Sequence, residues 1–241
     1  MKTNQEFKNE ALAALRGNWT PAVLVTVVFF ALTSLFVAPS IYQSFKIQAA
    51  MAQVTPGDVA ALLEASSGRS GATALQLLGE IFLIFPLSIG LSNAFLLLLE
   101  RGDNHLTTNT FHIAFTQYWH KVWGYVLMCI FIFLWSLLLL IPGIVKSFAY
   151  AMTPYILEEQ PELSANEAIN LSNAMMKGHK FDLFYLYLGF LGWGILALCT
   201  FGIGFFWLTP YMQTATAAFY REVKAEFGDG FDAQIKVAAG R

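Results

Sequence analysis

Three sets of polar residues lie inside apolar stretches of this chain, and any chemistry would be sought there first. One set is Lys146, Tyr150 and Thr153-Pro154. The second is Thr209, Pro210, Gln213, Thr216 and Tyr220. Within it Thr209, Gln213, Thr216 and Tyr220 recur at i, i+4, i+7 and i+11, so they share one helix face. The third is Ser88, Ser92 and Asn93. Polar groups are costly in lipid and count as functional candidates by default. Two roles fit these stripes: lining a polar path for an ion or small solute, or bonding helix to helix, at about 0.6 kcal/mol per bond. Lys146 likewise fits an ion, substrate or lipid-phosphate contact, or a lysine snorkelling to the interface. Pro154 and Pro210 each stand in a Thr-Pro-Tyr triplet and predict a bent helix. Matched broken helices mark binding sites in transporters, and they also serve packing.

Enzymatic constellations are missing. There is no H-E-x-x-H, no phosphate-binding glycine loop and no nucleophile motif, and Gly90-Leu91-Ser92 has no histidine partner within a span. Cys129 and Cys199 lie in apolar runs, where thiols act as small hydrophobes, so neither a disulfide nor a metal site is expected. No cofactor is expected either. A net charge of −2 provides no basic surface for nucleic acid.

The elements carrying these residues are membrane helices. Trp123 to Ile141 runs nineteen residues without a charge, and about twenty apolar residues cross a ~30 Å hydrocarbon layer. The hydrophobic share is 56% and the charged share 12%, which suits a chain solvated mostly by lipid. Apolar segments at 21–40, 75–99, 122–141, 143–157, 181–200 and 203–220 predict an all-α bundle of six spans. The fourth and sixth are short. The first follows a long polar segment and is expected to be retained rather than cleaved. Lysine and arginine favour the cytoplasmic side. With both termini inside, only Lys46, Arg69 and Lys146 of the fourteen fall outside. Residues 1–227 form one membrane domain on this reading, with an extracytoplasmic loop at 41–74 holding a short helix at 59–65. Tight outer turns are expected at Pro142-Gly143 and at 202–204, and a cytoplasmic tail at 228–241.

The chain also repeats. Thr3-x-x-Glu6 and Ser164-x-x-Glu167 read as capping boxes. An amphipathic stretch follows each (Phe7, Ala11, Leu12, Leu15; Ala168, Ile169, Ser172, Met175, Met176) and ends in Arg16-Gly17 or Lys177-Gly178. A third copy at 107–121 lacks the glycine. Three units are inferred, each an interfacial helix and a transmembrane hairpin. Gly189, Gly192 and Gly194, with Gly90 and Ala94, read as close-packing positions. Trp19, Trp119, Trp123 and Trp207 read as interface residues.

The blocks RGNW (16–19), IFIFLWSLLLLIPGIVKSFAYAMTPYILEEQPELSANEAINLSNAMMKGHKFDLF (130–184) and WLTPYMQTATAAFY (207–220) resemble the bacterial integral-membrane family "domain of unknown function 975". The resemblance implies a multi-pass protein of the bacterial cytoplasmic membrane and brings no activity with it. The expected function is a non-catalytic membrane organiser meeting lipids or a membrane-protein partner. The alternative is a small permease or lipid-handling transporter with a polar path along spans two, four and six.

Overall fold

A computed structural model describes residues 2–52, 66–67 and 69–228. The short helix expected at 59–65 and nearly all of the 228–241 tail lie outside them. Among the described residues the structure is helical, without strands. The contacts divide the chain into two units, residues 28–85 and the remainder.

In the unit 28–85, helix α2 (Trp19–Met51) and helix α3 (Arg69–Gly79) run well into what reads as the 41–74 loop. Gly79 lies against the Phe36 ring, and Ser40 donates to the Ala72 carbonyl at 3.2 Å. A π-turn at Glu80–Ile84 leads into α4 (Phe85–Arg101). Pro86 has no N–H and would clash with the carbonyl four residues back, and the wider turn relieves that conflict.

The other unit begins with α1 (Asn4–Leu15), which has a closed capping box. Thr3 caps the Glu6 N–H, and the Glu6 carboxylate accepts from the Thr3 N–H at 2.6 Å. That bond holds the Glu6 carboxyl below its ordinary range. Helix α9 (Ala165–Met175) closes the same box with Ser164 and Glu167. Helix α5 (Leu106–Phe115) has no such box; Asp103 instead accepts from the His105 N–H at 3.0 Å. All three helices end in a left-handed residue: Gly17 at φ 84°, Gln117 at φ 50° and Gly178 at φ 98°. The third segment therefore keeps the bend although it lacks the glycine. An added Cβ at Gly178 would meet nothing, so only backbone strain opposes it. Gly178→Ala should lower thermal stability in detergent by about 1–2 kcal/mol. Gln117→Gly, at the equivalent bend, should leave stability unchanged or raise it.

The apolar faces of α1 and α9 are covered by protein. Phe7, Ala11 and Leu15 are fully buried, and Phe7 meets Phe219 of α12 (Phe205–Phe227) at 5.4 Å. Ile169 packs with Met128, Ala149 and Tyr150. Two ion pairs tie the N-terminal segment to α12: Glu10 of α1 with Arg221, and Lys2, just before α1, with Glu222.

The long apolar run forms α6 (Tyr118–Leu138) and reverses at Leu139, which is extended at φ −158°, ψ 144°. Pro142-Gly143 therefore lies in the first turn of α7 (Leu140–Ala149) rather than at the reversal. A proline is tolerated in the first helical turn, where its missing N–H costs nothing. Gly143 serves approach, since an added Cβ would overlap Ser136. The path breaks again at 150–152 before α8 (Thr153–Glu159), so Pro154 opens a helix instead of bending one. The fifth apolar segment is likewise two helices, α10 (Lys180–Leu188) and α11 (Leu191–Cys199), parted at Gly189-Phe190. The turn expected at 202–204 is present, with Phe201 and Gly202 left-handed at φ 52° and φ 88°.

Among the described residues, five helical stretches are long and apolar enough to cross a membrane: Trp19–Met51, Arg69–Arg101, Tyr118–Leu138, Leu140–Glu159 and Lys180–Cys199. The expected sixth, carried by α12, is not among them. Its apolar half gives way to Arg221, Glu222, Lys224 and Glu226.

Candidate functional site

Helices α4, α8 and α12 bring most of the polar stripes together inside the second unit. Ser92 Oγ lies 3.2 Å from Gln213 Oε1 and donates to the Ser88 carbonyl at 3.0 Å. Asn93 is buried; its Nδ2 donates to the carbonyls of Ile89 and Pro154, both at 3.0 Å. Thr216 donates to the Met212 carbonyl at 2.8 Å and sits 3.3 Å from the Tyr187 hydroxyl. Tyr155 stacks on Tyr220 with ring centroids 4.6 Å apart. Tyr220 in turn donates to Glu159 at 2.7 Å, and Lys224 pairs with the same carboxylate. Two hydroxyls are left over. Thr153 Oγ1 has no partner, and the Tyr155 hydroxyl is directed at Ser92 without closing a bond.

Lys146 and Tyr150 do not join this cluster. The Lys146 ammonium lies 4.8 Å from the Trp135 ring and 5.5 Å from that of Tyr150, and Tyr150 packs toward Met128 and Ile169. The break at 150–152 rotates the chain between Tyr150 and Thr153, so the expected single stripe of span four becomes two. Thr209 is half-buried, and Pro210 is buried within a continuous α12, where its carbonyl accepts from Thr214 at 2.8 Å. The two Thr-Pro-Tyr triplets therefore do different work.

Several residues outside the expected set hold the site together. Ser172 bridges the α7–α8 break: its hydroxyl donates to the Ala149 carbonyl at 2.9 Å and accepts the Met152 N–H at 3.2 Å. Lys8 donates to the Gly189 carbonyl at the α10–α11 break, at 2.7 Å. Neighbouring Glu158 and Glu159 each take a lysine from a different helix, Lys121 of α6 and Lys224 of α12. The signals were present in sequence as an acidic pair ending an apolar run and a serine within an otherwise apolar helix face. Neither names its partner.

No cluster of three or more metal-ligating side chains occurs among the described residues. The largest cavity described, about 470 Å³, is lined by Leu12, Trp19, Trp193, Trp207, Leu208 and Tyr211 among others, and it is apolar.

By fold, then, this is an all-helical membrane protein whose intramembrane polar groups mostly bond to one another and to broken backbone. Residues 137–226 match the family described as "Protein of unknown function (DUF975)". That segment is similar to this family; it takes in 137–184 of the longest block of the resemblance and all of 207–220, but not 16–19. No curated protein and no solved structure matches the chain.

Proposed function

We propose that the protein is a non-catalytic organiser of the bacterial cytoplasmic membrane, holding lipids or a membrane-protein partner rather than moving a solute. One observation carries this reading. The groups freed where helices break, which would coordinate cargo in a transporter, are occupied by the protein's own side chains: Ser172 at Ala149 and Met152, Lys8 at Gly189, and Asn93 at Pro154. The chain is read as three units, each a short polar helix, a left-handed residue and an apolar hairpin, with both termini cytoplasmic.

A second reading has its own support. The orphan hydroxyls of Thr153 and Tyr155 beside Ser92 and Gln213 would suit a narrow polar path. Reconstitution separates the two. Liposomes containing the protein should pass protons, potassium and a fluorescent lipid analogue no faster than protein-free liposomes. Flux that vanishes in Gln213→Ala, with folding retained, would replace the organiser with the permease.

A further inference from the structure

We infer that the α10–α12 hairpin does not cross the membrane; its tip, centred on Phe201, ends in the hydrocarbon of one leaflet. The inference rests on the membrane reading above and concerns which segments span.

The first argument is depth. Helix α1 accompanies the base of this hairpin, through Phe7–Phe219, Glu10–Arg221 and the bond from Lys8 to the Gly189 carbonyl. Its outward face carries exposed Gln5, Glu6, Asn9 and Arg16. A helix with that face cannot lie in hydrocarbon, so the side of the hairpin that meets α1 is outside the apolar layer as far as Gly189. Beyond that point Trp19, Trp193 and Trp207 gather around the 470 Å³ apolar cavity, as tryptophans do at a headgroup boundary. From Trp193 to Cys199 is then only about 9 Å of helix. A leaflet offers about 15 Å of hydrocarbon, half of the ~30 Å layer.

The second argument is the chemistry of the tip. A turn emerging into water leaves polar groups for water to satisfy, whereas one that stops in lipid must satisfy them internally. Between Leu191 and Phe206 the only hydroxyl is that of Thr200. It donates to the Ala197 carbonyl at 2.8 Å and accepts the Gly204 N–H at 2.9 Å. The amides follow suit: Phe201 bonds Leu198, Gly202 bonds Ala197, Ile203 bonds Thr200 and Phe205 bonds Gly202, all at 3.0–3.2 Å. Meanwhile Leu198, Phe201 and Ile203 project outward, Phe201 completely exposed. The hydroxyl and these amides of the turn are bonded internally, and its surface is clad in hydrocarbon. Both of its ends stay on one side, so the assignment of both termini to the cytoplasm survives.

The test uses the full-length chain in vesicles, with Cys129→Ser and Cys199→Ala as background and Phe201→Cys as the probe. A membrane-impermeant maleimide should fail to label the introduced thiol from either face and should label it after solubilisation in SDS. A nitroxide on the same thiol should be relaxed more by oxygen than by a water-soluble nickel chelate. Ile203→Cys repeats the measurement should Phe201→Cys fail to accumulate. Labelling of intact vesicles from either side, or dominant nickel relaxation, overturns the inference while leaving a membrane protein. Release of the chain by alkaline carbonate would overturn the membrane reading and the hairpin with it.

Discussion

Glu158→Ala should destabilise the folded protein by about 3–5 kcal/mol, the amount typical of stripping one partner from a buried ion pair. Its partner Lys121 is completely buried, with Glu158 as its counter-ion and the Ile113 carbonyl as a second acceptor. Ile113 lies in the last turn of α5, where carbonyls lack intrahelical partners and a cation is favoured. Removing Glu158 strands an ammonium among apolar neighbours. The reverse deletion is milder. In Lys121→Met the Glu158 side chain, 28% exposed, can turn to solvent, and the main loss is the hydrogen bond to Ile113. That should cost about 1–3 kcal/mol. The double variant Lys121→Met/Glu158→Leu should regain much of what Glu158→Ala loses. Thermal or denaturant unfolding of the four proteins in one detergent gives the ordering, and equal losses in the two single variants would contradict the burial asymmetry.

Lys121 also illustrates what the sequence could and could not reveal. Charge bookkeeping assigns it to a cytoplasmic loop, and one-dimensional reasoning goes no further, because burial depends on Glu158, thirty-seven positions away. The helices, the capping boxes at Thr3 and Ser164 and the left-handed Gly17 and Gly178 were legible because each is decided within a few residues. Gln117 was not, since no side chain advertises a left-handed backbone as glycine does. Pro142 and Pro154 marked breaks correctly but misplaced them: proline fits the first turn of a helix, so each break precedes it. Ser172 read as part of an apolar face because its role, bonding both sides of the α7–α8 break, exists only once α9 has packed there. For the site, the stripes on spans two and six were visible by periodicity. Their bonding to Pro154, Tyr187 and Tyr155 was not, and neither was the separation of Lys146 from Thr153.

Gly90 provides the second large effect, and it separates close approach from mere small-residue composition. Its Cα faces α5 so closely that an ideal Cβ would lie 2.2 Å from the Thr110 carbonyl oxygen and 3.2 Å from the Ala114 Cβ. The obstructing atom is backbone within a helix, so it cannot swing aside as a side-chain end would. Gly90→Ala must push α4 and α5 apart or strain both, and overpacking of this kind costs about 1–3 kcal/mol. Gly90→Val should cost more, since its branched carbon adds a second clash. Gly192 gives the contrast: its sequence context predicts another packing glycine, yet nothing lies within 4 Å of its added Cβ. With no clash to pay and a better helix former in place, Gly192→Ala should raise stability by a few tenths of a kcal/mol up to about 1. Melting temperatures of the three variants in the same micelle decide the matter. A neutral Gly90→Ala would mean that α4 and α5 do not approach within van der Waals contact, whereas a costly Gly192→Ala would place an unseen neighbour, lipid or protein, against α11.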